Sequence, residues 1–174
     1  MGSGLGPIGQ SAAQSARAFG AHVTVSDVVQ KRLDIAKELG AHRVINASEP
    51  SSMEQIKKYR PYNCIIDCSG TPSLLDDIYK NQLLAHRGVI GLLAVRGETT
   101  FRWGMLHILE GSIEVSCHFG LEDLVIIIHF IRSGIMQIKP MVTHRVPITE
   151  APKIYEIMRD NPSELLGVIF NWKS

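Results

Sequence analysis

At 174 residues the chain is long enough for one substantial core and a small appendage. Apolar residues make up 45% and charged residues 20%, as in an ordinary globular domain. The formal net charge of +1 gives no electrostatic reason to expect nucleic acid or an acidic membrane as a partner, and short basic runs such as Lys57-Lys58 read as solvated helix face.

A glycine-rich loop, Gly4-Leu5-Gly6-Pro7-Ile8-Gly9, stands almost at the start. Only Met1-Gly2-Ser3 precede it, so the strand that such a loop normally follows is expected to be truncated. Residues 10–19, rich in small side chains, read as a helix closed by Gly20. Residues 22–27 form a β-branched strand ending in an acid, and 31–39 a helix with Leu33, Ala36 and Leu39 on one stripe. Val44-Ile45 is a short strand, 54–59 a short helix and 64–68 a buried strand. Thr71-Pro72 opens a helix with proline at its first position. Residues 88–95 are a continuous apolar strand, as expected of a parallel strand buried on both faces, and 113–119 form a further strand. A helix follows over 121–133, ended by Gly134. Its greasy run, 124–131, is far shorter than the roughly 20 residues that cross a bilayer and is expected to face the core. The texture changes near Lys139-Pro140, beyond which lie a strand at 142–146, a helix from Thr149 and a last strand at 166–171. Strands alternating with helices predict an α/β fold built on an open, doubly wound parallel sheet over 1–140, followed by a tail at 141–174.

The glycine loop opens a helix whose free N–H groups can bind a pyrophosphate, and Gly6 lets the main chain approach it closely. Asp27 stands 18 residues after Gly9, close to the spacing of about 20 expected of an acid that accepts from a ribose hydroxyl. An ionised acid there repels a 2′-phosphate, which favours NAD over NADP. The alternative role for Asp27 is to cap the following helix.

Other chemistries find little support. The three cysteines, Cys64, Cys68 and Cys117, include no Cys-x-x-Cys pair, which argues against a disulfide scaffold or structural zinc and for a reducing, cytoplasmic setting. No charged leader precedes an apolar signal core. The seven histidines are scattered without metal-site spacing. No tyrosine is followed by lysine in the Tyr-x-x-x-Lys pattern of a short-chain reductase, and neither a Gly-x-Ser-x-Gly elbow nor a Walker lysine is present.

The stretch GLGPIGQSAAQSARAFGAHVTVSDVVQKRLDIAKELGAHRVIN resembles the coenzyme-domain opening of medium-chain, zinc-type alcohol dehydrogenases, nearest in texture to the sorbitol and threonine dehydrogenase branch. The likeness continues through IIDCSGTPSLL, GVIGLLAV, TFRWGMLHILEGSIEVSCHFG and VTHRVPITEAPKIYEIM, and so covers essentially the whole chain.

The resemblance implies a Rossmann-type fold and NAD as cofactor. It places Gly4, Leu5, Gly6, Pro7, Ile8 and Gly9 at the pyrophosphate, with Asp27 and Arg32 at the adenosine ribose. Cys68, Ser69 and Gly70 would lie beside the adenine. Main-chain groups of Leu93, Ala94 and Val95 would meet the nicotinamide amide, although the family commonly has glycine where Ala94 stands. Cys117, His118 and Phe119 would reach the same carboxamide from the next strand end. The family's basic residue near the last strand has no counterpart in Leu165-Leu166-Gly167.

The resemblance also implies a preceding domain that carries the catalytic zinc, with 141–174 as a remnant of it. Two coenzyme domains would pair edge to edge through the strand at 113–119 and the Arg102-Trp103 loop. The expectation is therefore the C-terminal part of a dehydrogenase acting on a secondary alcohol of a polyol or hydroxy amino acid, without zinc of its own and inactive alone. The rival reading is a non-catalytic NAD-binding or dimerisation module.

Overall fold

The computed structural model describes residues 1–173. Six of its strands are β1 (Gly2–Ser3), β2 (Thr24–Asp27), β3 (Arg43–Asn46), β4 (Tyr62–Asp67), β5 (Leu84–Leu92) and β6 (Ser112–Val115). They form one parallel sheet in the order β3-β2-β1-β4-β5-β6. Parallel neighbours need crossover connections. These contain α1 (Pro7–Ala18), α2 (Gln30–Glu38), α3 (Ser52–Lys57), α4 (Leu74–Lys80) and α5 (Trp103–His107). The strand order reverses at β1, and ligands of such sheets bind beyond the carboxyl ends of the strands at that reversal.

The central strand is a stub. Gly2 is level with Val25 and Ile66, and Ser3 with Ser26 and Asp67. Met1 extends the pairing: its carbonyl accepts from the Ile66 N–H at 2.8 Å and its ammonium donates to the Cys64 carbonyl at 2.7 Å. Burial lowers the pKa of that ammonium. Beyond Met1 the space between β2 and β4 opens as a cavity of about 350 Å³ lined by Ala12, Ala13, Ala16, Val23, Tyr62 and Cys64 among others. The strand read as buried at 64–68 is therefore opened on one side, leaving Cys64 exposed and Cys68 half-buried.

Two apolar clusters hold the sheet. Leu5, Val23 and Val25 pack with Leu33 and Ala36 of α2. Ile45, Ile65 and Ile90 pack with Ile56 of α3, Leu75 and Ile78 of α4, and Met105 of α5. Val25, Ile65 and Ile90 are fully buried, and each such side chain stabilises the fold by about 1.5–3 kcal/mol. The alanines of α1 allow its close approach to the sheet. It ends where Gly20 adopts φ +82° and the Ala21 N–H reaches the Ala16 carbonyl at 2.9 Å, closing the last turn.

Several elements differ from the sequence reading. Helix α4 starts at Leu74 with Ser73 as its N-cap, so Pro72 precedes the helix instead of opening it. Five-residue α5 is too short to show a helical period and was not expected. Strand β6 stops at Val115, leaving 116–119 outside the sheet. Helix α6 (Leu121–Arg132) forms where expected, but it buries no residue: Val125 is 59% exposed and Ile128 47%. It follows an edge strand, and among the described residues no further strand lies beyond that edge to carry it onto the core. Phe130 meets Phe19 edge-on with ring centres 5.8 Å apart.

The tail folds as β7 (Val142–Pro147), α7 (Ala151–Asp160) and β8 (Gly167–Asn171). A 3-10 turn over Ile148–Glu150 moves the start of α7 past Thr149. Strands β7 and β8 pair in parallel as a separate two-stranded sheet, so the tail does not enter the central cavity.

Candidate cofactor-binding site

The glycine loop leaves β1 and enters α1 with Gly6 as N-cap, Pro7 in the first turn, no side-chain cap and no acidic residue in that turn. The free N–H groups of a helix start carry partial positive charge and attract anions. Two of the glycines are needed for packing. A Cβ on Gly9 would lie 1.8 Å from the Gly4 carbonyl oxygen, and one on Gly4, whose φ is +84°, would lie 2.7 Å from the Ser69 nitrogen. At Gly6 a Cβ would meet nothing within 4 Å. That glycine leaves open space in front of the helix start, as a cradle for a phosphate requires.

Asp27 closes the other side of the loop. It is only 7% exposed; Oδ2 accepts from the Leu5 N–H at 2.6 Å and Oδ1 from the Val29 N–H at 2.8 Å. The N-cap of α2 is Val29 and has no side-chain cap, so Asp27 ties the glycine loop to the start of α2 and does not cap that helix directly. Each carboxylate oxygen keeps a second acceptor position. Arg32 turns elsewhere. Its Nη2 donates to the carbonyls of Pro162 at 2.9 Å and Leu165 at 3.2 Å, clamping the tail against α2.

On the other side of the stub, Asp67 ends β4 with no exposed surface. Oδ1 accepts from the Ser69 N–H at 2.8 Å, the Ser69 hydroxyl at 2.7 Å and the Gly70 N–H at 3.1 Å. Oδ2 is ion-paired with Arg96, whose side chain is 16% exposed. Burial pushes the Asp67 pKa up, but the hydrogen bonds from Arg96, Ser69 and Gly70 outweigh it and hold the carboxyl below its ordinary range. The neighbouring Cys68 thiol is pushed up to about 11, by burial first and then by the Asp67 charge.

Three of the expected contact segments meet here. The Cys68 N–H donates to the Ser3 carbonyl at 2.8 Å, and the N–H groups of Leu93 and Ala94 donate to the Asp67 carbonyl at 2.9 and 3.2 Å. A Cβ on Gly70 would touch that of Ala94 at 3.4 Å. The glycine loop, 68–70 and 93–94 thus line one end of the sheet, while Val95 points into solvent at 98% exposure. Cys117, His118 and Phe119 lie exposed beyond the end of β6. Sequence reading missed Asp67 and Arg96; the available signal was an acid closing the apolar run Cys64-Ile65-Ile66 just before Ser69-Gly70.

Among the described residues no group of three or more His, Cys, Asp or Glu side chains is placed to hold a metal ion. Among them, too, no helix is long and apolar enough to cross a membrane.

Residues 7–132 match the family model described as zinc-binding dehydrogenase. The chain is 30% identical over 178 residues to an L-threonine 3-dehydrogenase of Legionella pneumophila strain Corby, covering 98% of this chain and 50% of that protein. It is 31% identical over 179 residues to the L-threonine 3-dehydrogenase of Proteus mirabilis, with the same coverage. The chain spans about half the length of the curated relatives it matches. Among solved structures, an Escherichia coli CFT073 protein described as a short chain alcohol dehydrogenase complexed with NADH superposes with a TM-score of 0.84 at 22% identity. That match covers 98% of this chain and 51% of the other. An E. coli oxidoreductase of unknown specificity gives 0.86 at 24% identity, covering 98% and 50%. The family match begins inside the glycine loop and runs through the sheet from β2 to β6 and on to the end of α6: the chain belongs to the zinc-binding dehydrogenase family.

Proposed function

We propose that this chain is the NAD-binding portion of an oxidoreductase that moves a hydride between a secondary alcohol and NAD. The observation that carries the reading is the open space at Gly6, in front of the α1 start, beside the Asp27 carboxylate. Bound NAD supplies the hydride acceptor. The chain's own residues bind and orient it: N–H groups at the α1 start take the pyrophosphate, and Asp27 accepts from a ribose hydroxyl and repels a 2′-phosphate. Residues 68–70, beside the adenine by resemblance, and Leu93-Ala94, at the nicotinamide amide by resemblance, would border the rest of the cleft, and Val95 is a contact by resemblance alone. Arg32 and residues 117–119 are contacts by resemblance alone, since Arg32 is engaged by the tail.

The relatives named L-threonine 3-dehydrogenase support a hydroxy amino acid, with a polyol as the other member of the same alcohol class. Among the described residues no group of three or more His, Cys, Asp or Glu side chains is placed to hold zinc, which supports the expectation that the chain alone is inactive. The division into a cofactor-binding unit at 1–140 and a tail at 141–174 is supported by the two separate sheets. The free thiols of Cys64, Cys68 and Cys117 support a reducing, cytoplasmic setting.

A ligand that binds only the folded state raises the melting temperature. NAD is expected to do so more than NADP at equal concentration. No shift with NAD contradicts the reading, and alcohol-dependent NADH formation by the purified chain contradicts its inactivity.

A second reading, a non-catalytic dimerisation module, draws on β6. This strand is an edge of the sheet, and Val115, Trp103 and Ile108 near it are 80%, 70% and 76% exposed. A second copy at that edge would satisfy unpaired main-chain groups and cover apolar side chains. The homodimer is compatible with both readings.

A further inference from the structure

We propose that Arg96 is a positioning residue for the cofactor cleft, acting through its ion pair with Asp67. The proposal rests on the NAD-binding reading and assigns one half of the cleft to a pair of residues that sequence reading passed over.

Asp67 joins three chain segments. Its carboxylate holds the turn at Ser69-Gly70, its carbonyl takes the N–H groups of Leu93 and Ala94, and the next residue, Cys68, is bonded to Ser3 of the central stub. Only one side chain from beyond the end of β5 reaches back to that carboxylate among the described residues, and it is Arg96. The same guanidinium donates from Nε to the Ala94 carbonyl at 3.4 Å. Arg96 therefore fastens the segment after β5 both to itself and to the end of β4.

The two halves of a doubly wound sheet take the two halves of a dinucleotide on either side of the strand reversal. Asp27, on β2, lies on one side; Asp67 and Arg96, on β4 and just after β5, lie on the other. Loss of the Arg96 anchor frees the segment at 93–96, while the Leu5–Asp27 bond and the α1 start are untouched. The nicotinamide half of NAD should then lose its wall and the adenosine half should keep its own.

The test uses the full chain with NAD and AMP as probes. Arg96→Gln is expected to weaken NAD about tenfold or more, the scale of a lost bond to a charged group. AMP affinity should stay within about twofold of the native value. Arg96→Lys, which keeps the charge, should recover most of the NAD affinity. Hydrogen exchange without nucleotide should quicken at Leu93 and Ala94 in Arg96→Gln, with β2 and α1 unchanged. Removing one partner strands a buried charge. If Arg96→Gln fails to fold, the double variant Asp67→Asn with Arg96→Gln carries the same expectations. Unchanged NAD affinity, equal loss of NAD and AMP, or unchanged exchange at Leu93 and Ala94 would each overturn the proposal. A native chain that binds neither nucleotide contradicts the cofactor reading instead, and the exchange data then decide the positioning role alone.

Discussion

The main-chain N–H of Leu5 donates to Oδ2 of Asp27 at 2.6 Å, so the acid proposed to face the ribose also holds the glycine loop in place. Asp27→Ala should therefore have two effects. NAD binding should weaken, with its advantage over NADP narrowed. Two buried or half-buried N–H groups, those of Leu5 and Val29, also lose their acceptor, at a cost of about 1–3 kcal/mol each at most. Asp27→Asn keeps an acceptor and should destabilise less while still narrowing the preference. Titration calorimetry and urea unfolding separate the two effects; an unchanged cofactor preference in both variants would refute the assignment.

The glycines of the loop should divide into structural and functional ones. Gly9→Ala places a Cβ 1.8 Å from the Gly4 oxygen and should destabilise by at least the roughly 1–3 kcal/mol typical of overpacking. Gly6→Ala meets open space at φ −63° and should leave stability within about 0.5 kcal/mol of native, as surface substitutions do. It should nonetheless impair NAD binding by filling the cradle. Comparable unfolding midpoints for native and Gly9→Ala would contradict this division.

Acid should weaken the fold through Asp67. Its folded-state pKa is depressed, so its stabilisation is fully present above the unfolded carboxylate value of about 3.9 and is lost as pH falls through the lower folded value. Asp67→Asn should flatten that part of the curve. Unfolding midpoints measured from pH 6 down to about pH 3 check it; parallel curves for native and variant would be the contrary result.

The thiols should differ in reactivity. Cys68 is half-buried with a pKa raised to about 11, whereas Cys64 and Cys117 are exposed. At mildly alkaline pH little Cys68 is thiolate, the form that reacts. Iodoacetamide followed by mass mapping should label Cys64 and Cys117 well before Cys68. Labelling of Cys68 first would show that its surroundings are not those described.

The exposed edge should drive self-association. Sedimentation velocity at micromolar concentration is expected to show a dimer, and Val115→Lys on β6 to shift it toward monomer, because a charge on an edge strand opposes pairing. A native monomer throughout that range would rule out the dimer.

The parts of the site legible in the sequence are those whose chemistry is local. Gly4 to Gly9 and Asp27 are set by a loop, a helix start and the end of the next strand, all within one β-α-β unit. Asp67 and Arg96 belong to different strand ends and meet only once the sheet has brought β4 beside β5. Arg32 was placed at the ribose by resemblance, yet its partners are carbonyls of the tail, far along the chain. In α6 the apolar run predicted the helix correctly, but periodicity names no partner. An edge strand leads that helix away from the core. Cys64 was read from the apolar strand around it, and the short central strand exposes it.

The central claim is a nicotinamide site that selects NAD through Asp27, and calorimetric titration of the native chain with NAD and NADP in parallel tests it most directly. NAD should bind measurably and more tightly than NADP. A preference for NADP, or no binding of either, would contradict the account.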